Sequence, residues 1–212
     1  MNINKKIKLI FALCSSVTLS TTAFGITFGQ LDRYYDKLGF AYSSHEASWF
    51  DADQFSVAWT STGGSEKWVS AASFSYTYVD AGATGEGDML STAYNLGYRI
   101  KLSDSAELVP LIGFSYQTLF SDGWALADIW SVSYGVSAVY ALAENTVLSA
   151  AAIGITGDWD DWYNISPNDS ADSLHYGISI EQFFNDSASI SLSYGTNSLG
   201  SSFVSLGYNI LL

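Results

Sequence analysis

Two histidines, each with carboxylates nearby in the sequence, are the residues of this chain whose types could support catalysis. His45 is followed by Asp51 and Asp53, and His175 comes shortly after Asp172. A histidine that is paired with a carboxylate can serve as a general base and activate water. The two histidines together with Asp51 and Asp53 are therefore the catalytic candidates. The alternative is that both histidines are ordinary solvated residues at the ends of strands.

A second acidic group could hold a cation. Asp158, Asp160 and Asp161 lie close together in the sequence, and carboxylate oxygens are ligands that Ca²⁺ and Mg²⁺ prefer. Their spacing lacks the alternate ligand positions and the central glycine of an EF-hand loop. A solvated acidic loop is the main expectation, and these three aspartates are the candidate metal ligands. No motif in the chain indicates a cofactor.

The overall charge of the chain argues against one class of binding partner, nucleic acid. The chain contains 21 Asp and Glu against 8 Lys and Arg, which gives a formal net charge of −13. Nucleic-acid binding needs a basic surface, so we expect no nucleic-acid partner. An acidic chain can also be disordered, but an aromatic content of 16% indicates a folded domain.

The N-terminal segment has the parts of an export signal. Lysines precede a short apolar run, and small residues follow it. This order predicts a signal peptide over residues 1–23, with cleavage after Gly25 as the alternative, and a barrel domain over residues 24–212. Cys14 is the single cysteine of the chain and lies inside the predicted signal. A mature chain would therefore have no thiol for catalysis or metal binding.

The rest of the chain alternates between apolar residues and small or polar ones. In the clearest case, residues 89–102, leucines and tyrosines occupy one side and small or polar residues the other. A period of two is that of a β-strand with two different faces. The pattern predicts ten strands, at residues 38–44, 55–61, 68–79, 89–102, 107–120, 129–142, 146–156, 174–184, 188–195 and 203–212.

The composition of the two strand faces indicates a membrane barrel. The less apolar faces hold small uncharged residues, as at Ser131 and Ser133, whereas a soluble barrel would present many charges there. Short connections alternate with longer ones at residues 80–88, 121–128 and 157–172, as expected for periplasmic turns and external loops. We therefore expect an all-β protein, an antiparallel up-and-down transmembrane β-barrel in a bacterial outer membrane. Ten strands are predicted, with eight as the alternative.

Two segments resemble strands of a known group of barrels. They are residues 108–116, with the sequence Leu-Val-Pro-Leu-Ile-Gly-Phe-Ser-Tyr, and the element from Tyr134 to Tyr140. Both are similar to strands of small outer-membrane proteins of the OmpA, OmpX and OprF N-terminal-domain type. The resemblance implies eight strands. A barrel of this type would contact outer-membrane lipid and lipopolysaccharide, and the barrel-assembly machinery would insert it.

The end of the sequence carries a candidate assembly signal. Proteins of this class usually end in an aromatic residue, preceded by alternating apolar positions, which the assembly machinery recognises. Leu206, Tyr208 and Ile210 match the alternating positions, whereas Leu212 stands where the aromatic residue is usual. These four residues form the predicted signal.

A structural or surface-interacting role, with acidic external loops, is the principal expectation for such a barrel. A small passive channel is the first alternative. In that case Arg99 and Lys101 could narrow the periplasmic mouth, and their possible partners are Glu107 and Glu181.

A rim enzyme that acts on lipid or peptide is the second alternative. His175 is followed by Tyr176 and Gly177, so it lacks the His-x-Ser pairing of a lipid A deacylase. The Asp-x-His pairing of omptin proteases is also absent around it. We therefore expect no enzymatic activity, and the sequence leaves the oligomeric state open.

Overall fold

A computed structural model describes residues 37–47, 50–65, 67–80, 86–121, 124–161 and 172–212. The predicted signal peptide lies outside these ranges. The described residues form eleven strands: β1 (Lys37–Ala47), β2 (Phe50–Ser61), β3 (Trp68–Asp80), β4 (Glu86–Tyr98), β5 (Ile100–Lys101), β6 (Ala106–Ser121), β7 (Trp124–Ala143), β8 (Thr146–Asp161), β9 (Ser173–Phe183), β10 (Ala188–Asn197) and β11 (Ser202–Leu211). Only Arg99 separates β4 from β5, and both pair with β6, so they form one element of the wall.

The strands form a closed antiparallel barrel with ten wall elements. Each strand pairs with its neighbours in sequence, and β1 also pairs with β11, so that Phe40 lies opposite both Val57 and Tyr208. Closure leaves no unpaired edge, which is the condition for a sheet to exist in a lipid bilayer. The prediction of ten strands is confirmed, and the eight-strand alternative is wrong because the two N-terminal strands both belong to the wall. Within the ranges given above, no helix is long and apolar enough to cross a membrane.

The outward face of the barrel is a band of large apolar and aromatic side chains. Because side chains alternate along a strand, every second residue of each strand contributes to it. Examples that are half-exposed or more are Phe55, Phe74, Tyr94, Ile112, Tyr134, Ile178, Leu192 and Leu206. A soluble protein rarely exposes an apolar surface of this extent, whereas a transmembrane barrel presents such a band to lipid.

Small residues line the inside of the barrel at the level of this band. The buried serines of this layer are Ser43, Ser56, Ser75, Ser91, Ser115, Ser131, Ser137, Ser149, Ser179, Ser193 and Ser205. Neighbouring strands join some of them, as in the 2.9 Å hydrogen bond between the hydroxyls of Ser75 and Ser91. The interior is polar but uncharged here, as the sequence predicted.

One end of the barrel, which we call the turn end, has the connections 62–67, 102–105, 144–145 and 184–187, none longer than six residues. The opposite end carries outward-facing carboxylates and is called the acidic end; among its carboxylates are Glu46, Asp51, Asp53, Asp80, Glu86 and Asp88. Lys37, the first residue of β1, and Leu211, the last residue of β11, pair with each other at the turn end.

The strands extend further toward the acidic end than the sequence predicted. β2 begins at Phe50 instead of residue 55, and the predicted loop at residues 121–128 is wrong, since only residues 122–123 separate β6 from β7. The reason is a change in polarity along the strands. Beyond the apolar band, acidic side chains face outward and apolar ones such as Val79 and Met89 face inward, so a search for apolar outward faces ends each strand too early.

The barrel interior contains one apolar cluster that extends along its length. Its buried members are Val69, Ala71, Val109, Leu111, Val139, Val147, Ile153, Ile155, Phe183, Phe203 and Leu211. A second, smaller cluster near the acidic end consists of Phe50, Ala52 and Val79, with Ala47 packed against them. Apolar side chains therefore pack against one another inside the barrel toward both of its ends.

Candidate functional site

Two buried ion pairs occupy the interior at the turn end. The ammonium nitrogen of Lys37 on β1 donates hydrogen bonds of 2.9 and 3.1 Å to the two carboxylate oxygens of Glu181 on β9. Both side chains are at most 2% exposed. The hydroxyl of Ser189 and the side-chain amide of Asn209 also donate to this carboxylate. The carboxylate of Glu181 thus gathers donors from three other strands.

The second ion pair joins β6 to the residue between β4 and β5. The guanidinium of Arg99 donates from Nε and Nη2 to the two carboxylate oxygens of Glu107, at 3.1 and 2.9 Å. Their side chains are 2% and 4% exposed. A two-point contact of this kind fixes the geometry of both groups, and pairing is what makes burial of two charges tolerable.

The sequence predicted part of this arrangement. Arg99 pairs with Glu107, one of its two possible partners, but the partner of Glu181 is Lys37, whereas Lys101 is exposed. Lys37 was missed because the predicted first strand began at residue 38. Its position, two residues before the inward-facing Gly39, is the signal that could have placed it inside the barrel.

The two histidines lie inside the barrel near the acidic end. His45 is 1% exposed, and its ring centroid lies 5.4 Å from that of Phe203. His175 is 2% exposed, and its Nε2 lies 2.7 Å from the hydroxyl oxygen of Ser173. The expectation that both histidines have ordinary solvation is therefore wrong.

The structure does not bring His45 together with its candidate carboxylates. His45 pairs across the sheet with the inward-facing Ala52, so Asp51 and Asp53 on either side of Ala52 face outward. The barrel wall separates the imidazole from both carboxylates. His175 lies on β9 beside a serine hydroxyl, as described above, and the arrangement assembles no histidine–carboxylate pair for water activation among the candidate residues.

The predicted metal ligands Asp158, Asp160 and Asp161 belong to β8 by their backbones, but their side chains lie outside the described part of the structure. Among the residues whose side chains are described, no group of three or more His, Cys, Asp and Glu residues gathers as a metal site requires.

Tyrosine–carboxylate pairs mark the outward surface where the apolar band meets the acidic end. The hydroxyl of Tyr42 donates to Asp53 at 2.6 Å, and that of Tyr76 donates to Asp88 at 2.5 Å. Each pair is a diagonal contact between neighbouring strands, a geometry within reach of long side chains. The sequence analysis missed both pairs, because the partners are recognised only once the strand register is known.

The four residues of the predicted assembly signal share one side of the barrel. Leu206, Tyr208 and Ile210 face outward from β11, and Leu212 is exposed beside its end. Their role in assembly stays a prediction.

The chain was compared with known protein families, curated proteins and solved structures. No protein-family model and no curated protein match the sequence. The β-domain of the Bordetella autotransporter BrkA is 10% identical with a TM-score of 0.49, and the match covers 85% of this chain and all of that one. The translocator domain of the autotransporter NalP from Neisseria meningitidis is 11% identical with a TM-score of 0.45, over 82% of this chain and 85% of that one.

A third solved structure is Ail, the attachment invasion locus protein of Yersinia pestis. It is 13% identical with a TM-score of 0.41, over 82% of this chain and 93% of that one. At these identities and TM-scores the matches carry no conclusion about this chain, and the assignment of its architecture depends on the features of the molecule itself. The closed wall, the apolar outward band and the polar interior of this molecule are those of a transmembrane β-barrel of a bacterial outer membrane.

Proposed function

We propose that this barrel is a non-conducting outer-membrane protein that reinforces the membrane and presents its acidic end to ligands outside the cell. The observation that carries the proposal is the apolar cluster that extends through the barrel interior. Val109 and Val147 at the turn end are at most 1% exposed, and Phe203 near the acidic end is 3% exposed. A passive channel needs an open polar path, whereas these side chains pack against one another.

The ion pairs at the turn end support the same conclusion. The positive charges of Lys37 and Arg99 are each neutralised by a carboxylate. These pairs therefore do not form a ring of like charges that would attract a permeating ion. The pair of Lys37 and Glu181 reaches across β10 and β11, and the pair of Arg99 and Glu107 lies on the other side of the mouth. Together they place paired charged side chains on two sides of the mouth.

The acidic end supplies the surface for interaction. In outer-membrane barrels the long loops face the exterior, and the longest connection between described strands, residues 162–172, joins β8 to β9 at the acidic end, which directs that end outward from the cell. Its carboxylates suit the divalent cations that bridge lipopolysaccharide molecules, or a basic region on a protein ligand. The resemblance to barrels of the OmpA, OmpX and OprF type supports such a role, with outer-membrane lipid, lipopolysaccharide and the assembly machinery as partners and no nucleic acid.

Single-channel recording tests the closed interior. Purified protein reconstituted in a planar bilayer should give no discrete conductance steps, and a general porin in the same membranes verifies that steps would be detected. Heat-modifiable migration on gels confirms that the reconstituted protein is a folded barrel. Regular steps from the folded protein would show that the interior conducts and would reject the proposal.

The histidines provide the test for hidden catalysis. No arrangement of the described residues favours an enzyme, so hydrolysis of lipid or peptide by purified protein should equal the background. If hydrolysis above background is found, a variant with both His45→Ala and His175→Ala decides whether a histidine serves as the base. Activity that is lost in this variant and retained in the wild type would replace the proposed role with an enzymatic one.

A further inference from the structure

His45 lies between the two apolar clusters of the barrel interior. In the strand register it is opposite Ala52 on β2 and opposite Phe203 on β11. Ala52 belongs to the small cluster near the acidic end, and Phe203 belongs to the cluster that extends along the interior. The imidazole of His45 is therefore placed where a change of its charge acts on both clusters at once.

This imidazole is buried without a strong polar partner. It is 1% exposed, and neither of its ring nitrogens makes a hydrogen bond of ordinary geometry with the described residues, although the side-chain amide of Gln54 lies nearby. Burial of a charge is far more costly than burial of a neutral polar group unless the charge is paired. The packed interior is therefore compatible with the neutral ring of His45 and opposes its protonated form.

The charged groups of the interior lie at the other end of the barrel. Around His45, the carboxylates of Glu46 on β1 and of Asp51 and Asp53 on β2 face outward, and so does the phenol of Tyr208 on β11. The charged residues among the buried side chains that the structure describes all belong to the turn end: Lys37, Arg99, Glu107 and Glu181. A proton on His45 would therefore meet no described counter-charge inside the barrel.

We propose that His45 is a pH sensor: when it takes up a proton, the acidic half of the interior opens to water while the turn half stays packed. The acidic half is the interior around Ser43, His45 and the cluster of Phe50, Ala52 and Val79. The turn half is the interior around the two ion pairs, together with Val109, Val147 and Ser149.

The sign of the pH dependence follows from proton linkage. The open state exposes the ring of His45 to water, where an imidazole has a pKa of ~6.5, whereas the closed state excludes the proton. Lowering the pH below that value therefore favours the open state, by up to about tenfold per pH unit for one histidine. Carboxylates lose their charge only near pH ~4, so the range from about pH 6.5 to 5 reports on histidine.

The turn half has no group that responds in this range. The chain contains two histidines, and both lie toward the acidic end. The carboxylates of Glu107 and Glu181 keep their charge and their partners. The proposal therefore goes beyond the proposed function without altering it, since the opened acidic half still ends on a closed turn half.

Two single cysteines can report on the two halves separately. Ser43 and Ser149 are both buried, and neither hydroxyl has a hydrogen-bond partner among the described residues. Ser43→Cys and Ser149→Cys therefore introduce a thiol without removing a hydrogen bond. Both are made with Cys14→Ser, because Cys14 is the single cysteine of the chain. Heat-modifiable migration establishes that each variant is a folded barrel.

The folded variants are reconstituted in lipid vesicles and labelled with a pyridyl disulfide, which reacts with thiols in mild acid. Each rate is divided by that of the same variant unfolded in urea at the same pH. Between about pH 7.5 and 5, the rate at Ser43→Cys should rise at least about tenfold, and the rate at Ser149→Cys should not change. An unchanged rate at Ser43→Cys, or an equal rise at both cysteines, would overturn the proposal.

Variants of the histidines identify the sensor. His45→Phe and His45→Gln, each combined with Ser43→Cys, should hold the labelling rate at the low value of neutral pH throughout. His175→Gln should keep the rise, because β10 and β11 separate His175 from His45. A rise that persists in both His45 variants, a rate that is high at every pH in both, or a rise lost in His175→Gln would reject His45 as the sensor.

Single-channel recording separates this proposal from the proposed function. No conductance steps are expected in neutral or in acidic buffer. Steps at neutral pH would reject the closed barrel itself. Steps that begin only in acidic buffer would show that the turn half opens as well and would overturn the sensor as described.

Discussion

The apolar band and the acidic end of this barrel are built on the same strands with opposite polarity. On β2, Phe50 faces inward and Asp51 outward, whereas Phe55 faces outward and Ser56 inward. The alternation of side chains continues unbroken between these two pairs. The medium outside the wall is what changes: lipid surrounds the band, and water surrounds the acidic end.

This difference shows that a period of two determines which residues share a face but not which face is apolar. Within the band, many of the inward-facing residues are small and polar, and large apolar residues face outward. At the acidic end the apolar residues turn inward and form the cluster of Phe50, Ala52 and Val79. That end is therefore organised as a soluble β-barrel would be, although it continues the membrane-spanning strands.

The largest expected effect distinguishes interior from exterior carboxylates. Glu181→Ala leaves the ammonium group of Lys37 buried without its carboxylate, and breaking a buried ion pair costs about 3–5 kcal/mol. Asp51→Ala removes an outward carboxylate at the acidic end and should change the free energy of unfolding by less than about 0.5 kcal/mol. Urea unfolding in lipid vesicles measures both.

The double variant Lys37→Met with Glu181→Leu is the control for that experiment. An apolar pair of similar volume removes the uncompensated charge, so most of the lost stability should return. If the Glu181→Ala variant is as stable as the wild type, the stability of the barrel does not depend on the ion pair of Lys37 and Glu181.

The second prediction compares two outward positions on β4. Tyr94 lies in the apolar band and Glu86 lies at the acidic end. A lysine in the lipid-facing centre of a barrel costs about 2–4 kcal/mol, and one near the interface about 0–1 kcal/mol. Tyr94→Lys should therefore destabilise the barrel far more than Glu86→Lys in the same unfolding assay. Equal losses would show that both positions face the same medium.

The smallest expected effect concerns the boundary between the two regions. Tyr42→Phe removes the 2.6 Å hydrogen bond to Asp53 and should cost about 0.5–1.5 kcal/mol. Tyr94→Phe is the matched control, since Tyr94 faces Ala72 and Phe114 on the neighbouring strands. If both variants lose the same stability, the hydroxyl of Tyr42 contributes nothing specific at this boundary.

The sequence predicted all ten wall strands, because alternation in each strand is a local property. It placed the starts of β2 and β7 five residues too late, because the segments at the acidic end follow the inverted polarity. The sequence also did not predict the break between β4 and β5 at Arg99, because the apolar alternation continues through Arg99 into β5.

The site was less predictable because it depends on which strands are neighbours. The pairing of Arg99 with Glu107 spans one short turn and could be anticipated, whereas Lys37 and Glu181 lie 144 residues apart in the sequence. His45 is buried because it belongs to the inward-facing set of alternate residues on β1. The sequence did not show this, because the predicted first strand ended at residue 44, whereas β1 continues to Ala47.

The contact between Lys37 and Glu181 also constrains the order in which the barrel can close. It joins β1 to β9 across the seam at which β1 meets β11. Closing a wall through residues so distant in sequence is the entropically costly step of folding. If β1 entered the membrane before β9 to β11 were in place, a lysine would be carried into a low-dielectric interior with no counter-charge. The seam is therefore expected to form last, with β1 docking onto a sheet that already presents the carboxylate.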